Sequence, residues 1–212
     1  MYRLFSLVIV LFCLSILSVE HSYAQNADAI LATSRKKVES LGDMQAKFTY
    51  SMSSARLRPV SRSGKLYYKK GKYRVHISGQ RIISNKVTKW LCLPEDGEVI
   101  KSSVADGDGP NPGEMFNVYK SKGKTSYMGT KTVHGIACHQ IQLSLDVSNL
   151  DYNKAYLSID KRTNLPVKVS IVDRKNTTTT YELFDLKTNS GLTDNIFVFK
   201  QADCPDCDVV VD

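Results

Sequence analysis

From Met44 to Met52 apolar and polar side chains alternate one by one: Met44, Ala46, Phe48, Tyr50 and Met52 against Gln45, Lys47, Thr49 and Ser51. Successive side chains of a strand point to opposite faces, so this period of two predicts a half-buried strand. Leu66 and Tyr68 continue the habit. A turn at Lys69-Lys70-Gly71-Lys72 follows, and Tyr73, Val75 and Ile77 return antiparallel. Further strands are expected over 81–84, 88–93 and 98–102, the last two joined by the turn Pro94-Glu95-Asp96-Gly97. Beyond residue 123, strands are expected over 124–130, 136–145, 154–160, 166–173, 177–184 and 196–199.

Two segments break the rhythm. Over 27–41 Ile30, Leu31, Val38 and Leu41 recur at helical spacing, with Arg35, Lys36, Lys37 and Glu39 on the wet side and Gly42 as the stop. Residues 104–113 (VADGDGPNPG) predict a loop, followed by a short helix over 114–120 with Met115, Phe116 and Tyr119 on one side. Hairpins at this density describe one mainly β domain with helical caps, an antiparallel barrel or sandwich. No repeat, low-complexity linker or break in composition divides it.

The N-terminus adds an address. Leu4 to Val19 is an almost unbroken apolar run behind Arg3, and Ser22 and Ala24 place small residues at the −3 and −1 positions of a cleavage site. Residues 1–24 therefore read as a signal peptide cleaved after Ala24, and the exported chain as periplasmic. Cys13 as a lipoprotein cysteine is the competing reading, but Leu11 and Phe12 precede it where small residues belong. Export sets nucleic acid aside as a partner. The formal charge of +8 favours anionic membrane surfaces or head groups instead.

The search for catalytic chemistry returns little. The chain has no Gly-x-Ser-x-Gly elbow, phosphate-cradling glycine loop or His-Glu-x-x-His. Adjacent Cys138 and His139 point to opposite faces of a strand, and His76 and His134 stand alone. Asp106 and Asp108 resemble a calcium loop faintly, with Pro110 where an oxygen ligand belongs. No enzyme, cofactor, catalytic residue or metal site is expected. Cys204-Pro205-Asp206-Cys207 is the one motif with a chemical flavour. It suits a structural disulfide loop, half a zinc site or a redox dithiol; the surrounding Asp203, Asp206 and Asp208 oppose thiolate formation and favour the first. In an oxidising compartment Cys92, Cys138, Cys204 and Cys207 are all disulfide candidates, with three connectivities open.

What remains is a surplus of aromatic and methionine side chains on the strands. A barrel of many strands encloses more volume than small side chains fill. The 114–120 helix, hung on a glycine- and proline-rich loop, is written as a lid would be. The expectation is a lipid-binding cavity lined by Met44, Phe48, Tyr50, Tyr68, Tyr73, Trp90, Met115, Phe116, Tyr119 and Tyr181.

Seven segments in order, VESLGDMQAKFTY, GKLYYKKGKYRVHI, VTKWLCLPEDGEV, NPGEMFNVYK, HGIACHQIQLSL, AYLSIDKRTNLPVKVSIVDRK and DNIFVFKQADCPDCDVVVD, give the chain its resemblance to the outer-membrane lipoprotein carrier family of LolA type. The resemblance runs from Ala27 to Asp212 and makes 25–212 a single lipoprotein-carrier-like domain. It implies a half-open antiparallel β-barrel over an apolar cavity, and a monomer that holds lipoprotein acyl chains during transit. Its implied partners are acylated lipoproteins, an inner-membrane ABC exporter and an outer-membrane acceptor. A sensor or regulatory lipid- or lipoprotein-binding module of the same fold is the alternative. The family's lid-latching arginine is replaced by Lys69 or Lys70, which lack the planar fork of donors, so a weaker lid latch is expected. The CPDC motif stands where the family has a proline-glycine turn, and its role is not carried over.

Overall fold

The computed structural model describes residues 19–55, 57–104, 118, 123–145 and 152–211. Its first element is helix α1 (Val19–Glu39), longer at its start than the periodicity over 27–41 predicts and continuous across the expected cleavage point. Lys36 and Lys37 occupy its last turn, where cations complement the helix dipole.

The period-two segments form β1 (Met44–Ser54), β2 (Leu57–Lys69), β3 (Lys72–Ile77), β4 (Gln80–Ser84), β5 (Thr88–Leu93) and β6 (Glu98–Ser103). Then come β7 (Lys124–Val133), β8 (Ile136–Ser144), β9 (Tyr152–Asp160), β10 (Pro166–Asp173), β11 (Thr178–Thr188) and β12 (Asp208–Val211). Tight hairpins account for the run of neighbouring pairs. Lys70-Gly71 and Ser78-Gly79 both hold two consecutive positive φ angles, the conformation whose twist matches that of the flanking strands.

All twelve strands make one sheet in the order β12-β6-β5-β4-β3-β2-β1-β11-β10-β9-β8-β7. The antiparallel β1–β11 pair, with Tyr50 opposite Tyr181, joins the early ladder to the late one. The sheet is not closed: β7 and β12 are its ends, as an open barrel of the expected class requires. One pairing is parallel, β12 on β6, with Val209 opposite Val99.

One face of the curved sheet carries the core. Phe48, Leu66, Val75, Ile141, Leu143, Leu157, Val169 and Leu183 bury there with Ala27, Leu31, Val38 and Leu41. The Thr125 hydroxyl donates to Asp28 Oδ1 at 2.6 Å and pins α1 against β7.

Three sequence expectations change. Residues 196–199 form no strand; a 3-10 turn (Asp194–Phe197) that buries Phe197 leads into an unpaired extension beginning at exposed Val198. The alternation is real, but these residues find no ladder. Residues 57–63 extend β2 although they lack apolar alternation, because β1 alone templates them; pairing to β3 begins only at Gly64. Pro59 fits on that open edge. Strand β12 was not expected, its four residues being too few to show a period.

Candidate functional site

Inside the open barrel lies a cavity of about 390 Å³, within the range of ligand pockets (about 300–1,000 Å³). Its walls are the inward positions of five strands: Phe48, Tyr50 and Met52 of β1, Val60 and Arg62 of β2, Val75 and Ile77 of β3, Gln80 and Ile82 of β4, and Tyr181 of β11. Within each strand these positions differ by two, so a single orientation of the pleat places them all on one side. Tyr50 and Tyr181 pack with ring centroids 5.5 Å apart and tilted by 59°.

The wall needs a glycine at one point. Gly64 faces Phe48 across the β1–β2 ladder, and a Cβ there would lie 2.8 Å from Phe48 Cε1 and would collide with the His76 carbonyl oxygen. Its absence lets the Phe48 ring lie across β2.

Three of the residues named from the sequence line the cavity: Phe48, Tyr50 and Tyr181. Met44, Tyr68 and Tyr73 do not. They form a row across β1, β2 and β3, Met44 opposite Tyr68 and Tyr68 opposite Tyr73, and fill the core next to the α1–β1 junction. Trp90 is also elsewhere, because the pleat of β5 turns Leu91 toward the main core and Trp90 and Cys92 toward a second cluster on the other face. Met115, Phe116 and Tyr119 lie outside the described residues. Their neighbour Val118 is fully buried in the core cluster that contains Phe48.

Of the two lysines expected to latch a lid, Lys69 is engaged by the segment after β11. Lys69 Nζ donates to the Leu192 carbonyl at 2.6 Å and pairs with Asp194 at 3.1 Å, while Lys70 is the first left-handed residue of its turn. Asp43 secures the same segment, accepting the backbone N–H of Ser190 at 2.6 Å and of Leu192 at 2.9 Å. Burial works to raise the Asp43 pKa, but these amides, that of Gly191 and the Lys69 charge outweigh it and hold the carboxyl below its usual range.

The outer face of β3–β6 is covered by the C-terminal segment. Cys204 and Cys207 form a disulfide whose sulfurs pack with buried Cys92 and Val99, against Trp90 and Phe199. Cys92 and Cys138, candidates for pairing on sequence, are free buried thiols in separate clusters. Burial, then the nearby Asp203 charge, pushes the Cys92 thiol up to about 11. Arg74 forks onto the Asp203 carboxylate, and Arg81 donates to the Asp203 carbonyl. His76 has its Nε2 buried without a partner in this positive setting; burial and then the Arg74 and Arg81 charges lower its pKa. His134, isolated in the sequence, lies 2.7 Å from Glu182, which also takes Lys168 Nζ at 2.6 Å.

The sequence pattern of the family described as "Outer membrane lipoprotein carrier protein LolA" matches residues 39–200. The chain belongs to the LolA family. That family is one of lipoprotein carriers and binders rather than of enzymes. No curated protein matches the chain in sequence. Solved structures share its fold at low identity. An uncharacterized conserved protein from Thermus thermophilus is 13% identical with a TM-score of 0.59, over 88% of this chain and 99% of that one. LprF from Mycobacterium bovis is 14% identical with a TM-score of 0.53, over 80% and 95%. The Mycobacterium tuberculosis lipoprotein LppX is 13% identical with a TM-score of 0.52, over 78% and 98%. Family and cavity together support a lipid-binding module.

Met52, Val60, Arg62, Val75, Ile77, Gln80 and Ile82 are cavity residues that were not named for it from the sequence. Ile82 had a signal, since it lies in an expected strand with Ile83 as its neighbour. Arg62 and Gln80 had none, because a polar residue at an inward position is indistinguishable in a sequence from one that faces water.

Proposed function

We propose that this LolA-family member is a periplasmic carrier that shelters lipoprotein acyl chains in the β1–β4/β11 cavity between the inner and outer membranes. The observation that carries this reading is the apolar wall of Phe48, Met52, Val60, Val75, Ile77 and Ile82, enclosed by strands and opening to solvent. An acyl chain of about fifteen methylenes costs on the order of 12 kcal/mol to leave in water, at ~0.8 kcal/mol per methylene. A carrier must offer an apolar enclosure of comparable worth. Residues 1–24 would direct export and be removed, and an inner-membrane ABC exporter and an outer-membrane acceptor would load and unload the cargo.

The test is native mass spectrometry with lipid extraction on protein purified from the periplasm, followed by release of acylated lipoproteins from inner-membrane vesicles. Co-purified acylated cargo and release by the wild type, lost in Met52→Glu, are expected. Release unaffected by Met52→Glu would remove the cavity from the mechanism. A ligand-free protein that releases nothing, yet captures a periplasmic protein, would favour a sensor or regulatory module.

A further inference from the structure

Among the described residues the cavity wall has one charged member. Arg62 of β2 follows Val60 and precedes Gly64 on the inward side of its strand, and it lies opposite Tyr50 on β1. Gln80, which opens β4 just beyond the Ser78-Gly79 turn, is on the wall with it. Pairing of β2 to β3 ends at Gly64, so Arg62 stands past the end of β3, on the exposed rim where the cavity opens. Among the described residues no carboxylate lines the cavity and Arg62 joins none of the ion pairs. Arg74 and Arg81, on the opposite face of β3 and β4, are both engaged by Asp203.

Resting on the carrier reading, we propose that Arg62, assisted by the Gln80 amide, is an anion-recognition site at the cavity mouth. The preferred ligand is then an amphiphile with an acyl tail against Phe48, Val75, Ile77 and Ile82 and a carboxylate or phosphate at its polar end. The chemistry is that of a planar guanidinium, which meets such groups with two parallel hydrogen bonds. The low-dielectric wall behind it strengthens the attraction relative to open water. A purely neutral chain would bury its tail equally well and leave the guanidinium with solvent alone.

The experiment is displacement of the neutral fluorophore N-phenyl-1-naphthylamine from delipidated protein, below the micelle threshold of each competitor. Palmitate, methyl palmitate and palmitoyl-lysophosphatidylglycerol are compared on wild type, Arg62→Gln and Arg62→Lys. An anionic competitor should bind about tenfold more tightly than methyl palmitate, the size of one charge-assisted hydrogen-bonded contact. Arg62→Gln should erase that preference without changing the methyl ester's affinity, and Arg62→Lys should keep part of it. Palmitate showing the Arg62-dependent gain assigns a carboxylate, and the lysophospholipid alone showing it assigns a phosphate. Equal affinities in the wild type, or a preference that survives in Arg62→Gln, would overturn the site while leaving the apolar cavity in place. Failure of the fluorophore and all three competitors to bind would instead remove the cavity reading, and this inference with it. Arg62 is exposed, so its substitution leaves the core intact.

Discussion

Arg74 and Asp203 meet in a two-pronged ion pair, Nη1 donating to Oδ1 at 3.0 Å and Nη2 to Oδ2 at 2.7 Å, with side chains only 14% and 15% exposed. The pair ties β3 to a segment 129 residues further along the chain. It does so beside the disulfide loop, where the C-terminal residues cover the outer face of the sheet. The cavity wall therefore has a backing: Val75 faces the cavity and its neighbour Arg74 faces the clamp.

Asp203→Ala should cost about 3 kcal/mol of stability, because it leaves a largely buried guanidinium without its partner. Urea unfolding of the two proteins measures the difference. Double substitution to Arg74→Met and Asp203→Leu should recover much of it, since no unpaired charge remains. A loss below about 0.5 kcal/mol in Asp203→Ala, the range of exposed pairs, would mean that the clamp is solvated.

Acid should loosen this clamp together with two other carboxylate sites. Burial raises the Asp203 pKa, but hydrogen bonds from Arg74 and the Lys200 N–H, with the Arg74 and Arg81 charges, bring it below its usual value. Glu182 is likewise lowered, its burial outweighed by Lys168 and His134, and Asp43 is held down by backbone amides. Each contributes stability that is fully present above the unfolded-state carboxylate value of about 4 and is lost as pH falls through the lowered folded-state value. The melting temperature should decline gently as pH falls through about 6.5, where the unfolded chain protonates His76 and His139 more readily than the folded one, and should drop more steeply below about pH 4. Asp203→Asn, which has no proton left to take up there, should show a shallower decline.

The thiols should be silent until the chain unfolds. Cys92 is fully buried beneath the disulfide, and its deprotonation is opposed by burial first and the Asp203 charge second. Cys138 is also fully buried, and burial followed by the Asp160 charge raises its pKa. Iodoacetamide on the native, unreduced protein should leave both unlabelled. The same reagent in denaturant should label both while sparing Cys204 and Cys207, as peptide mapping would show. Labelling of Cys204 under those conditions would mean that the disulfide is open.

Gly64→Val should close the cavity from its wall. The added side chain meets the Phe48 ring and the His76 carbonyl, and overpacking of this kind costs about 1–3 kcal/mol. Acyl-probe binding should be lost in a variant that still melts cooperatively. Phe48→Glu should abolish it too, with a larger loss of stability because a carboxylate is buried at a position only 4% exposed. Unchanged probe binding in a folded Gly64→Val protein would place the ligand elsewhere.

Much of this architecture was legible in the chain. Alternation at Met44–Met52 and at Tyr73, Val75 and Ile77 predicted β1 and β3, and the ordered segments pointed to the LolA family that the match over 39–200 establishes. Those signals are local, because the pleat repeats every two residues whatever surrounds it. Tertiary structure alone decided which face of each strand meets the cavity. Both faces of β5 are covered, so Trp90 and Leu91 read alike in sequence yet pack into different clusters. Arg62 reads as a surface residue, and only the curl of β3 and β4 alongside β2 puts it on the cavity wall. Asp203 reads as one acid among several beside two cysteines, and only the fold of the C-terminal segment over β3 and β4 pairs it with Arg74. Alternation records that a side chain is covered. What covers it is set by contacts between residues far apart in the chain, and no short window of sequence contains both.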